Sequence, residues 1–347
     1  MPRNGSRRSG TTVALKKRPA AVTPLSLALP GGGAYGAFAW GALDRLLEET
    51  DLTFPQVSGV SAGAVNAVAL AQGFAEGGRS GARDKLAEVW ERTAALAAFS
   101  PLQPSPLDLL LRPGGLDYSL GYRWLDTVSR LFSPYQFNAF DLNPLREVLR
   151  QTIDFATIRE FDEVQVFIAA TNVRRGRIRV FGPRQITLDA VIASTCLPFL
   201  NKAVEIEGEA YWDGAYLANP PLRPLIESEA AGPVPGDLLL VELDGLEQPG
   251  TPTSPQEIFD RLNSLSGGGG LLSELEWLAA AHPEVRLHGI AEPQTLGELS
   301  ASSRLNADRR FLVYLHDIGR IAADTWLSGP RAQVGLASSY RVQSRYV

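Results

Sequence analysis

Apolar residues fill nearly every position of LSLALP (25–30), the mark of a strand buried on both faces, and Pro30 stops it. After a run of glycines, YGAFAWGALDRLLEET places Ala37, Trp40, Leu43, Leu46 and Leu47 at helical steps and predicts a helix. PQVSGVSAG contains a short strand, and AGAVNAVALAQGF, dominated by small apolar residues, reads as a helix buried on most sides. Strand, loop and helix therefore occur twice between residues 25 and 75. That repetition is the pattern of a parallel sheet with crossover helices, hence an α/β fold.

Farther along, EGGRSG predicts a loop before the helix ARDKLAEVWERTAALAAF. LNPLREVLRQTI reads as a short helix capped by Asn143 or Asp141. VQVFIAATNV and DLLLVELDG read as buried strands, and RRGRIRVFG as a turn and an outer strand. TLDAVIASTCLPFL is a helix ended by Pro198, and the hairpin-like KAVEIEGEAYWDGAYLANPP carries Asp213 into a proline-rich turn. Helices are expected around 254–265, 270–281 and 302–328, with SGGGG (266–270) as a flexible joint between the first two. Residues 100–135 break the pattern, being rich in Pro, Leu and aromatics. They read as an apolar insertion with short helices, either packed irregular core or a candidate lid. In the second case Leu109, Leu110, Leu111, Tyr118 and Trp124 would wall the site that the lid covers.

The chain has 347 residues, 45% of them hydrophobic and 20% charged, enough to bury a large core without staples. The net charge of −5 argues against a nucleic-acid binder. Cys196 is the one cysteine, so no intramolecular disulfide forms, which fits a reducing compartment. No segment is long and apolar enough to span a bilayer. The first 23 residues are basic and lack an apolar stretch after Arg7-Arg8, so neither a Sec nor a twin-arginine signal is expected. A disordered basic tail, or a weak contact with anionic headgroups, is expected instead. The expected location is cytoplasmic, with possible peripheral attachment to a membrane.

Gly59-Val60-Ser61-Ala62-Gly63 is a G-x-S-x-G between a predicted strand and a predicted helix. A serine on such a turn projects its hydroxyl from the sheet edge, and the tight backbone demands small neighbours. The following helix brings its free N–H groups beside the serine. A nucleophilic serine needs a base. Of the three histidines, His282 ends a helix beside a proline, His288 sits in a strand-like piece and His316 in a helix; none occupies a small-residue turn. Asp213, followed by glycine on a tight loop, is the other candidate, since an aspartate within hydrogen-bond reach can take the serine proton. Gly31, Gly33 and Gly36 also satisfy G-x-G-x-x-G, but no strand ending in an acid follows about twenty residues later, and Asp51 lies in a loop-like stretch.

Three blocks, in this order, resemble the patatin-like phospholipases. GGGAYG (Gly31 to Gly36) is similar to their glycine-rich oxyanion loop, GVSAG to their nucleophile elbow, and Asp213-Gly214-Ala215 to their aspartate block. IASTCLPFL, from Ile192, is similar to the segment before that aspartate, and IFDRLNSL to a later helix of many bacterial members. The resemblance covers roughly residues 24–280. It implies a three-layer α/β/α fold with a mostly parallel central sheet, plus a helical C-terminal part. It further implies a Ser–Asp dyad, with Ser61 as nucleophile and Asp213 as base. Gly31, Gly32, Gly33 and Gly36 would form the oxyanion hole, Gly59 and Gly63 the elbow, and Gly214 the aspartate loop; no cofactor or metal is implied.

The expected substrate is an acyl lipid, a phospholipid or lysophospholipid, met through transient peripheral membrane contact. The chain divides into the tail (1–23), a catalytic domain (24–285) and a helical C-terminal extension packed on it (286–347). Tyr35 departs from the family, whose loop often carries Arg or Lys there, and Pro30 is also unusual. Two competing functions remain: an α/β-hydrolase esterase with a late histidine, and a catalytically silent lipid-binding protein on the same fold.

Overall fold

The computed structural model describes residues 22–243, 250–253 and 255–341, with the side chains at 255–257, 259, 260 and 263 left aside. The tail expected over 1–23, including Arg7-Arg8, lies outside the described residues except for its last two positions.

Eight strands form the central sheet: β1 (Ser26–Leu29), β2 (Gln56–Gly59), β3 (Gln165–Asn172), β4 (Arg177–Phe181), β5 (Val204–Ile206), β6 (Glu209–Asp213), β7 (Asp237–Val241) and β8 (Arg286–Ile290). Their order is β8-β7-β1-β2-β3-β6-β5, with β4 also on β3. The pairs from β8 through β3 are parallel, and those of β4, β5 and β6 are antiparallel. Alternation along the strands splits the core in two. Leu27, Leu29, Val57, Val166, Ile168, Leu239 and Val241 feed one cluster. Ala28, Phe167, Leu238, Leu240 and Leu287, the residues between, feed the other.

Helices cover both faces, as the three-layer expectation requires. Among them are α1 (Gly36–Leu46), α2 (Ala62–Ala97), α3 (Leu120–Leu131), α4 (Leu188–Ser194), α5 (Pro255–Ala281) and α6 (Arg309–Ser328), with further short helices between, such as Pro144–Thr152. The first core cluster takes residues of α1, α2, α4 and α6, and the second takes Leu271, Leu275 and Leu278 of α5.

The predicted EGGRSG loop is only a kink in α2, at Gly77 and Gly78. SGGGG is not a joint at all: α5 runs through it unbroken. A Cβ on Gly270 would come within 2.4 Å of the Leu217 carbonyl oxygen, so these glycines let α5 press against the backbone after Asp213. Close tertiary approach outweighs the unfavourable helix propensity of glycine, about 1 kcal/mol per residue.

The division expected at residue 286 falls within the sheet, because β8 begins there and pairs with β7 over its whole length. Residues after 285 thus supply a sheet strand and one helix of a covering layer, rather than a purely helical extension. Gly41 of α1 and Gly319 of α6 allow the two backbones to meet: a Cβ on either would lie within 2.0 Å of a carbonyl of the other helix. Beside this crossing, Asp44 accepts hydrogen bonds from Arg83 and Arg320 and lies 3.5 Å from His316 Nε2. Burial opposes its charge, but hydrogen bonds from His316, Arg83 and Arg320 outweigh that and hold its carboxyl well below the usual carboxylate range.

Candidate active site

The sheet register explains how two distant loops meet. Ile168 of β3 pairs with Gly59 of β2 on one edge and with Phe181 of β4 on the other. Two residues farther, Ala170 pairs with Arg179 of β4 and with Asp213. Strand β6 therefore lies along the edge of β3 that β2 vacates. The end of β6 faces the end of β2, and Asp213 is delivered beside Ser61.

Ser61 has φ 53° and ψ −124°, a conformation that side chains other than glycine rarely adopt. It is 9% exposed and precedes the first turn of α2. Its N–H donates to Ser194 Oγ at 2.9 Å, which ties the elbow to the end of α4. Gly59 and Gly63 leave no room for a side chain in the turn, since a Cβ on Gly63 would lie 2.0 Å from the Leu29 oxygen and one on Gly59 2.5 Å from the Gly63 oxygen. Gly214 is equally constrained, with the Ala169 oxygen 2.4 Å from its would-be Cβ.

The Asp213 carboxylate lies beside the Ser61 side chain in the same cavity wall and accepts a hydrogen bond, at 2.9 Å, from the Ala215 N–H. Its own N–H donates to the Cys196 carbonyl at 2.8 Å, and its carbonyl accepts from Thr171 Oγ1 at 2.8 Å. Burial pushes the carboxyl up to about 7, against the lowering effect of the neighbouring Ser61 side chain and the Ala215 N–H. A carboxylate so held is basic enough to accept a proton near neutrality.

Both residues open into a cavity of about 290 Å³, lined also by Gly31, Gly32, Gly33, Tyr122, Leu125, Leu197, Phe199, Tyr216, Asn219 and Arg304. The expected oxyanion glycines divide. Gly31 donates its N–H to Asn219 Oδ1 at 2.6 Å, and Asn219 Nδ2 returns a bond to the Gly31 carbonyl at 3.2 Å. Its N–H is thus already committed, contrary to the expectation. Gly36 is not part of the cavity wall; it begins α1, where a Cβ would strike Ala62 and Trp90. Its carbonyl is held by Asn66, which also accepts from Trp90 Nε1. Gly36 therefore serves close packing between α1 and α2. Gly32 and Gly33 line the cavity, and among the described residues their N–H groups have no hydrogen-bond partner.

No histidine reaches the cavity. His282 meets Glu284, His288 is held between Ser339 and Asp237, and His316 sits against Asp44 and Asp317. Among the described residues no cluster of His, Cys, Asp and Glu could hold a metal. Residues 100–135 do border the cavity, but through Tyr122, Leu125, Asp126 and Ser129 rather than the residues expected to wall it. Leu109, Leu110, Leu111 and Trp124 are instead more than half exposed, so this segment is not packed core.

Sequence reasoning missed Asn219, Ser194, Tyr122 and Arg304. Ser194 lies within IASTCLPFL and Asn219 within the turn after Asp213, but a polar residue in such a stretch carries no signal of which distant backbone it will bind. Within IFDRLNSL, the side chains at 259, 260 and 263 lie outside the described residues.

A mostly parallel sheet covered by helices, with a serine on a sharp strand-to-helix turn, defines an α/β protein. Residues 27–226 match the family model described as patatin-like phospholipase, and the chain belongs to that family. No curated protein sequence matches the chain. Among solved structures it is similar to VipD from Legionella pneumophila, at 15% identity over 88% of this chain and 66% of VipD, with a TM-score of 0.43. It is also similar to ExoU in its complex with SpcU, from the type III secretion system of Pseudomonas aeruginosa. There the identity is 15%, the coverage 89% of this chain and 52% of the other, and the TM-score 0.33. The chain thus spans just under two thirds of VipD and about half of ExoU.

Proposed function

We propose that the protein hydrolyses carboxylic esters of acyl lipids, phospholipids or lysophospholipids, through a Ser61–Asp213 dyad. The observation that carries this reading is the placement of a serine on a strained turn beside a buried, basic carboxylate in one cavity wall. Ser61 Oγ attacks the acyl carbonyl carbon while Asp213 takes its proton. The carbonyl oxygen, now negative, receives the N–H groups of Gly32 and Gly33, aided by the N-terminus of α2. The tetrahedral adduct collapses, the C–O bond to the alcohol breaks, and Asp213 returns the proton to the leaving oxygen. Water then attacks the acyl-enzyme, giving its proton to Asp213 and releasing the fatty acid as Ser61 recovers its hydroxyl. No histidine is required, and all three are engaged away from the cavity, which disfavours a late-histidine triad. A fluorophosphonate probe is expected to label Ser61 in the native protein and not after Ser61→Ala. Absence of labelling in the native protein would favour a silent lipid-binding role.

The rate should follow the ionisation of Asp213. Its carboxylate is the active form, so kcat/KM on a neutral soluble ester is expected to rise with pH, inflect near 7 and level off above. A flat profile between about pH 5 and 9 would contradict Asp213 as the base.

Residues 107–142 carry exposed apolar side chains, among them Leu110, Leu120, Trp124, Leu131 and Phe140, and the same segment lines the cavity through Tyr122, Leu125 and Ser129. A second groove shares Ser129, Phe199 and Tyr216 with the cavity wall and runs along Leu131 and Phe132. A lipid surface is the occupant that suits an acyl-lipid hydrolase, through transient peripheral contact. Leu110→Asp and Trp124→Asp together are expected to weaken sedimentation with phospholipid vesicles by about tenfold or more, since each buried side chain is worth about 1.5–3 kcal/mol. Hydrolysis of a soluble ester should change far less, and equal loss of both would argue against the surface role.

A further inference from the structure

Arg304 is the one cationic side chain among the described residues that line the cavity. The other charged lining groups are Asp213 and Asp126, and Asp126 is paired with Arg130 at 3.1 Å. Arg304 comes from a short turn (Ala301–Leu305) far along the chain, yet it sits directly against the glycine loop. Its Nη1 is 3.5 Å from the place a Cβ would occupy on Gly32, and its carbonyl oxygen 2.3 Å from that place on Gly33.

The guanidinium is held there. Its central carbon stands 4.7 Å from the centroid of the Tyr35 ring, within cation–π range. Tyr35 is only 2% exposed, and its hydroxyl shares a 2.8 Å hydrogen bond with Ser303 Oγ, the neighbour of Arg304 in sequence. One aromatic residue of the glycine loop thus fixes both the turn and the side chain it carries. A planar guanidinium in such a place is suited to a phosphate, which it grips with two parallel hydrogen bonds. It offers little to an uncharged polyol.

We propose that Arg304 is a specificity-determining residue that receives the anionic phosphate group of the substrate, and that Tyr35 is its positioning residue. This rests on the reading of Ser61 as nucleophile. With the acyl carbonyl at Gly32 and Gly33, the phosphate of a glycerophospholipid or lysophospholipid lies a few bonds away, on the loop that Arg304 flanks. Neutral acylglycerols carry the same ester without the anion, so the arginine separates the two classes by charge.

The test compares lysophosphatidylglycerol with monoacylglycerol of the same chain length in neutral detergent micelles. The readout is the ratio of their kcat/KM values, which is independent of the folded fraction. Arg304→Gln is expected to lower the anionic-to-neutral ratio about ten- to a hundredfold, as for loss of hydrogen bonds to a charged group. Arg304→Lys should recover part of it, and Tyr35→Leu should lower it about threefold or more. Should Arg304→Gln fail to accumulate, the other two variants carry the test. A ratio within about twofold of wild type in the glutamine and leucine variants overturns the proposal. So does an equal loss on both lipids, which would make Arg304 a general stabiliser of the oxyanion. Inorganic phosphate distinguishes the sources of the anion. Inhibition in wild type that Arg304→Gln abolishes marks a site open to free phosphate, whereas its absence assigns the group to the lipid itself. Persistent hydrolysis by Ser61→Ala would instead refute the dyad, whatever Arg304 does.

Discussion

Ser61→Ala and Asp213→Asn are each expected to lower kcat on a lysophospholipid by about 10⁴- to 10⁶-fold, the range seen when a nucleophile or its acid–base partner is removed from a serine hydrolase. The alanine variant lacks the attacking oxygen. The asparagine variant keeps the shape of the carboxylate and can still accept a hydrogen bond from Ser61, but it cannot take the proton away. The two losses should not add, because both residues act in the same step. Activity near wild type in either variant would sink the dyad.

Stability should move the other way in Asp213→Asn. The folded-state pKa is raised from 3.8 to about 7. The protonated form is therefore the one that suits the fold. Its stabilising contribution is complete below the unfolded value and is lost as pH rises through 7. The amide removes that cost, so Tm should rise by a few degrees at pH 8 and by less at pH 5, both chosen around that window. An inactive but more stable protein is the signature of a buried group kept for chemistry.

Gly63→Ala is expected to destabilise the fold by about 3 kcal/mol or more, the range of overpacking against groups that cannot move aside. The added methyl would stand 2.0 Å from the Leu29 oxygen and 2.7 Å from that of Pro30, both main-chain atoms. Strand β1 and helix α2 would have to part, and Ser61 rides on that contact. Gly77→Ala makes the control, since nothing lies within 4 Å of its Cβ position. Urea unfolding should separate the two clearly, and similar midpoints would show that the elbow tolerates expansion.

Much of this protein was legible before folding. Burial on both faces of LSLALP and the helical spacing after the glycines are short-range patterns, and the structure places β1 and α1 there. Ser61 was legible because a strained turn needs glycines at fixed offsets. The flexible joint at 266–270 failed for the converse reason: four glycines signal freedom until another backbone comes close enough to need them. Gly31 and Gly36 were assigned as donors because a glycine looks the same whether it admits a ligand, a side chain such as Asn219 or a neighbouring helix.

The sequence by itself thus determined the α/β layering and the serine turn, since each rests on periodicity or on steric demands within a few residues, whereas the acid was singled out by its chemistry and by a family resemblance. Tertiary structure alone decided that β6 takes up the edge of β3 where β2 ends, so that Asp213 meets Ser61. It also decided that the cation near the glycine loop comes from Arg304, through the ring of Tyr35. Sheet order and register arise from the sum of many contacts between distant segments, and no local pattern encodes that sum.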